Sequence, residues 1–159
     1  MKRQQTISRG LTVAQWHQLT QEGAWIPVRI QLHGSSMQPL IRRMRDYVTI
    51  VPLIRPLKIG DVVLFHDDVG RYVVHRVWKL EPNRVITLGD NCKNADRPLS
   101  YGQILGLVTK LERGCIRMNL DSVISRLFGR LWMELFPVRC LYYKMRSYAG
   151  RVYRKMKGR

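Results

Sequence analysis

Between Trp25 and Leu111 the apolar residues arrive in short β-branched bursts, each cut off by turn-forming residues, and this spacing constrains the fold more than any other feature of the chain. Val28, Ile30 and Leu32 alternate; Tyr47 to Val51 and Val62 to Phe65 are compact apolar runs; Tyr72 to Trp78, Val85 to Leu88 and Ile104 to Leu111 follow. Gly60, Asp67-Asp68, Gly70, Pro82-Asn83, Gly89-Asp90-Asn91 and Gly102 separate them as turns. Runs this short, rich in valine and isoleucine, fit strands and fall below the length of a stable helix. Six or seven of them in succession predict a mainly β, α+β fold built on a folded antiparallel sheet of barrel-like form.

The flanks read differently. Thr12 caps a short helix that carries Val13, Trp16 and Leu19 and stops at Gly23. From Leu120 onward, Val123-Ile124, Leu127-Phe128, Leu131-Trp132 and Leu135-Phe136 recur every four residues along one side of a helix, until Pro137 breaks or kinks it. Beyond the proline the apolar stripe continues through Val138, Leu141-Tyr142, Met145, Ala149, Val152 and Met156, and acidic residues are absent after Glu134. The chain thus divides into an arm and helix over 1–24, a sheet domain over 25–119 and basic amphipathic helices over 120–159.

A chain of 159 residues is long enough to bury a sizeable core as one domain. Its 28 lysines and arginines against 11 acidic residues give a formal charge of +17, which points to an anionic partner, membrane lipid or nucleic acid. Cys92, Cys115 and Cys140 form no CxxC pair, so the sequence predicts reduced thiols in a cytosolic setting and neither a disulfide framework nor structural zinc. No metal-ligand spacing or cofactor motif is present. The polar residues after the basic start exclude the apolar core of a signal peptide, and no window approaches the roughly 20 apolar residues of a membrane-spanning helix. The expected location is cytoplasmic, or peripheral on the cytoplasmic membrane.

Three constellations carry chemistry. Gly34-Ser35-Ser36-Met37-Gln38-Pro39 follows the first strand, where a serine hydroxyl is exposed at a strand-to-turn junction. His75-Arg76 lies inside the strand from Tyr72, with His75 on the face of Val73 and Val77. Gly89-Asp90-Asn91 is followed by Asp96-Arg97. Taken singly, these are a polar turn, a core histidine and a turn beside a surface ion pair. Taken together, serine, histidine and aspartate are the ingredients of an activated nucleophile: the imidazole removes the hydroxyl proton, and a carboxylate fixes the ring and stabilises its charge. Sequence spacing does not show that they meet.

The succession Gly34-x-Ser36-Met37-x-Pro39, Gly60-Asp61-Val62-Val63, Val74-His75-Arg76-Val77, Gly89-Asp90-Asn91, Asp96-Arg97 and Gly106-Leu107-Val108 resembles the S24/S26 superfamily of serine peptidases, which includes type I signal peptidases and LexA-like self-cleaving proteins. The resemblance covers about half the chain and implies the histidine branch, since His75 stands where the other branch has lysine. It implies Ser36 as nucleophile, His75 as base and Asp96 as third member, with Asp90 and Arg76 supporting them. The implied activity is cleavage of a signal peptide, leader or other extended precursor segment bound beside a sheet edge.

Two departures qualify that implication. Gly34 stands where signal peptidases carry Ser or Thr, so the oxyanion must rely on backbone N–H groups, chiefly that of Ser36, with help from Ser35. No amino-terminal membrane anchor is present. The stripe over 120–159 either packs on the sheet or lies in an anionic lipid interface, nucleic acid being a third partner for its cations. A catalytically silent module that uses the same fold and basic surface to bind lipid, nucleic acid or protein is the alternative function.

Overall fold

The computed structural model describes residues 12–53, 55–141 and 145. The basic arm Met1 to Arg9 and the apolar positions Ala149, Val152 and Met156 lie outside the described residues.

Helix α1 (Val13–Gln21) starts where the sequence places it. Thr12 accepts the Gln15 N–H and the Gln15 side chain returns to the Thr12 backbone, a reciprocal cap. Gly23, at φ 88°, ends the helix in the left-handed region. The helix is anchored by Trp16, which is fully buried and donates its indole N–H to the Ile26 carbonyl at 2.6 Å. Gly106 admits the ring: a Cβ there would lie 2.8 Å from Trp16 Cη2 and 2.6 Å from the Val51 carbonyl.

Seven strands follow: β1 (Val28–Gln31), β2 (Tyr47–Pro52), β3 (Val62–His66), β4 (Tyr72–Glu81), β5 (Arg84–Leu88), β6 (Ile104–Arg113) and β7 (Ile116–Asn119). All pairings are antiparallel, in the order β1-β2-β6-β3-β4-β5, with β7 beside β6. One edge of β6 pairs with β2 from Gly106 to Glu112; β3 takes the start of the other edge and β7 its end. The six strands expected from the apolar bursts are present. The seventh, β7, forms a tight hairpin with β6 through Gly114, which sits at φ 56°.

The barrel-like form expected from the sequence is not found. The fold is a mixture of helices and one seven-stranded sheet that stays open, with β1 and β5 as its two ends. The physical reason lies in β3, where Val62 and Leu64 join one apolar cluster and Val63 and Phe65 join another. The sheet therefore buries both faces, which explains why Val62 to Phe65 reads as a continuous apolar run rather than an alternating one. Closure would need β1 to pair with β5, and among the described residues β1 pairs with β2 and β5 with β4.

Helix α2 (Val123–Glu134) is capped by Ser122 and ends at Leu135, and helical backbone resumes over 136–141. Pro137 thus lies in the first turn of the second stretch, where its missing N–H costs nothing. The helix packs on the sheet through Gly129 and Met133, both buried. Its contact is close, because Gly60 and Gly129 face one another: a Cβ on Gly60 would lie 2.6 Å from the Arg126 carbonyl, and one on Gly129 2.8 Å from the Gly60 carbonyl. No helix among the described residues is long and apolar enough to cross a membrane.

Replacing Trp16 with alanine removes the largest fully buried side chain and its indole hydrogen bond. We expect a loss of about 3–5 kcal/mol, read as a lower midpoint in thermal or urea unfolding. A change below 1 kcal/mol would show that α1 does not hold the sheet.

Candidate active site

His75 lies in the middle of β4, buried among the side chains of the Phe65 cluster, with the Phe65 ring edge-on at 6.0 Å. At the centre of β4 the face opposite Val73, His75 and Val77 is covered as well. Val74, His75, Arg76 and Val77 are all buried, since β3 and β5 flank the strand and both faces of the sheet are covered.

His75 Nδ1 is 2.6 Å from Asp96 Oδ2. The same carboxylate oxygen accepts the Thr87 hydroxyl at 2.6 Å, and Asp96 N–H bonds the Thr87 carbonyl at 2.9 Å, so the carboxylate is held by β5 from two sides. Asp96 rather than Asp90 therefore meets the imidazole. Asp90 receives Arg76 in a two-pronged ion pair, Nε to Oδ1 and Nη2 to Oδ2, each 2.9 Å, while Arg76 Nη1 donates to the Gly60 carbonyl at 2.8 Å. Arg76 and Asp90 both lie beneath the surface.

The Ser36 turn is fixed by its neighbours. Met37, fully buried, pins it to the core, and Gln38-Pro39 is a cis peptide. Asn91 N–H donates to the Ser36 carbonyl at 2.7 Å and the Asn91 amide reaches the Ser35 carbonyl at 3.4 Å, so the Gly-Asp-Asn turn and the serine turn are laced together. Gly34 leaves open space, with Ser36 Oγ the nearest atom, 3.8 Å from where its Cβ would stand.

The point at which these elements converge is Gly89. A Cβ on it would stand 2.9 Å from the Ser36 carbonyl, 3.0 Å from His75 Nε2 and 2.6 Å from Cys92 Sγ. The ring nitrogen that faces away from Asp96 is thus directed at the serine turn and at the Cys92 thiol. No hydrogen bond joins Ser36 and His75 among the described residues, whereas Cys92 stands against the same glycine as the ring. Its place three residues after Gly89 was the available signal, but nothing in the spacing says that the turn folds the thiol back.

Two hollows open here. One of about 630 Å³ is lined by Phe65, Val73, His75, Asp96 and Arg97 among others. The other, about 340 Å³, is lined by Ile30 to Gly34, Ser36 and Tyr72 to Val74. Tyr72 and Val73 border both. The second lies along the end of β1, whose outer edge has no strand partner among the described residues.

Burial disfavours the charged imidazole, but the hydrogen bond the ring donates to Asp96, the charge of that carboxylate and the neighbouring Cys92 side chain outweigh it and raise His75 to about 9. The ring is therefore protonated at neutral pH. No family model matches this chain, and no curated protein or solved structure matches it either.

A histidine that holds its proton more tightly when folded contributes stability that is complete below its ordinary value of 6.5 and lost as pH rises through about 9. The unfolding free energy should fall across that window, and the slope should flatten in Asp96→Asn. An equal slope in both proteins would remove Asp96 as the cause of the shift.

Proposed function

We propose that the chain is a serine-type endopeptidase in which Ser36 attacks a peptide carbonyl of an extended precursor segment. The observation that carries this reading is the 2.6 Å contact between His75 Nδ1 and Asp96 on a ring whose Nε2 faces the Ser36 turn. In the proposed reaction Nε2 takes the Ser36 proton as Oγ adds to the carbonyl, then gives it to the leaving amine; Asp96 keeps Nδ1 protonated and balances the imidazolium. The Ser36 N–H donates to the oxyanion. A water, deprotonated by the same nitrogen, releases the acyl group. The substrate lies as an added strand at the β1 edge, with side chains entering the hollow beside Gly34 and Val74. The histidine branch of the S24/S26 superfamily is the proposed kinship.

The reading is tested by labelling Ser36 with a phosphonylating probe. Wild-type protein should react, Ser36→Ala and His75→Ala should not, and Asp96→Asn should slow the reaction by about 10²–10⁴-fold. Because the base must be neutral, the labelling rate should climb about tenfold per pH unit and level off near 9 rather than near 6.5. A flat profile from pH 5 to 9 would take the role from His75. One observation favours the catalytically silent module instead: no hydrogen bond joins Ser36 and His75 among the described residues. Absence of Ser36 labelling at pH 9 would decide for that module.

We further propose that the protein works on an anionic lipid surface. The stripe of α2 and the stretch after it does not complete the core: Ile124 is 81% exposed, Phe128 69%, Leu127 61% and Leu131 52%, and Leu135, Val138 and Leu141 continue the face. A contiguous apolar face on a chain of charge +17 matches the chemistry of an interfacial helix. Vesicles rich in phosphatidylglycerol should sediment the protein and neutral phosphatidylcholine vesicles should not. Ile124→Glu with Phe128→Glu should weaken binding by roughly tenfold or more without unfolding. Unchanged sedimentation would discard the lipid surface, and with it this use of the helix.

A further inference from the structure

Arg97 follows Asp96 in the chain and lines the same hollow of about 630 Å³ as His75 and Asp96. In the sequence the two read as a surface ion pair. The Asp96 carboxylate is given instead to His75 and Thr87, and among the described residues the exposed Arg97 side chain makes no hydrogen bond or ion pair. The hollow's other cation is engaged: Arg71 Nε lies 2.8 Å from Asp67 Oδ2, and Asp67 also accepts the N–H groups of Val69 and Arg71. Asp68, on the hairpin between β3 and β4, accepts the neutral Gln103 amide at 3.2 Å and so keeps its charge. Two charges are therefore left without a counter-ion, Arg97 next to the residue that holds the imidazole and Asp68 on the hairpin, with the apolar Phe65, Val73 and Leu99 also in the lining.

The two hollows divide the reacting groups. Ser36 lines the smaller and His75 the larger, while Tyr72 and Val73 border both. On the peptidase reading the acyl part of the substrate stays bonded to Ser36, and the amine that leaves takes its proton from His75. A peptide cut there crosses the Tyr72-Val73 divide, with its acyl side toward the smaller hollow and its leaving side toward the larger.

We propose that Arg97 selects substrates that carry an aspartate or glutamate shortly after the bond that is cut, the carboxylate pairing with the guanidinium in the larger hollow. The inference rests on the peptidase reading and adds the half of the substrate that strand addition at β1 does not define. A guanidinium presents a planar fork of donors that fits a carboxylate, and Asp68 repels an acid from the hairpin side. Taken as a cube, a hollow of this volume is roughly 9 Å across, the span of about three extended residues. Because Arg97 is open to water, the preference is modest, about two- to fivefold, and salt erodes it.

The experiment incubates the full chain with a pool of synthetic random peptides, amidated at the carboxyl end so that only side chains supply acids, and reads cut sites by mass spectrometry. Wild-type protein should enrich aspartate and glutamate about two- to fivefold within about three positions after the cut, less so in about 0.5 M salt. Arg97→Lys should keep part of the enrichment, Arg97→Ala should abolish it, and Arg97→Glu should turn it toward lysine and arginine. Preferences before the cut should be the same in all four proteins, a result that general loosening of the site would not give. Circular dichroism checks that each variant is folded, and any one folded variant is enough to decide. Wild-type cutting indifferent to acids, an acid preference that survives Arg97→Glu, or enrichment of basic residues by the wild type, which would give the hollow to Asp68, overturns the proposal. In each of those cases peptides are cut and the peptidase reading stands. If no peptide is cut, the peptidase reading fails and the selection by Arg97 fails with it.

Discussion

The ion pair between Arg76 and Asp90 is the interaction on which the rest of the arrangement depends. Arg76 is the residue after His75 on β4, and Asp90 lies in the turn that sends Asn91 to the Ser36 carbonyl and folds Cys92 back against Gly89. Joining the two therefore fixes strand, turn and serine loop in one frame. Burying two charges is costly unless geometry is good and the remaining donors are satisfied. Both conditions hold: the contact is two-pronged, and the third nitrogen of the guanidinium finds the Gly60 carbonyl. Removing either partner alone leaves an unpaired buried charge, which is worth several times what an exposed ion pair contributes.

Around that frame the site divides its polar groups by function. Asp96 is turned to the ring and steadied by Thr87, while Asp90, only six positions earlier, never approaches it. The two carboxylates leave the same turn and serve opposite ends of the neighbouring pair His75 and Arg76, because consecutive residues of a strand point to opposite faces. A second ion-pair group, Arg55 with Asp61 and Asp121, ties the start of β3 to the approach of α2. The cations of this strongly basic chain are thus partly spent on positioning acids within the fold.

Much of the sheet was legible because turn residues and β-branched runs mark strand limits locally. What local signals do not carry is which faces get covered. The run Val62 to Phe65 announces burial on both sides, yet closure into a barrel depends on whether β1 and β5 meet, and no residue in either encodes that. β7 was missed although Gly114 followed by Ile116 and Met118 carries a hairpin signal, since four residues of alternation are easily absorbed into a loop. The meeting of His75 and Asp96 was legible only through resemblance, not through spacing. The place of Cys92 between Asp90 and Asp96 hinted that it lies near them, but its position against Gly89 comes from the curl of one turn. The outward aspect of α2 was equally hidden: the stripe was plain, but which side of the helix would find the sheet depends on Gly129 and Met133, the small and flexible residues that let the backbone approach.

That approach has a consequence for how the carboxyl-terminal region is studied. Gly129 stands so close to the guanidinium of Arg76 that a Cβ there would come within bonding contact of Nη1. The helix is thus the lid of the ion pair as well as the bearer of an apolar surface, and Arg139 adds a bond from the next helical stretch to the Asp90 carbonyl. Cutting the chain before residue 120 would admit water to Arg76 and Asp90 and loosen the turn that holds Asn91 and Cys92. A truncated protein that lost activity would say nothing about lipid, partner or substrate; the outer face can be interrogated only by changes that leave the inner one in place.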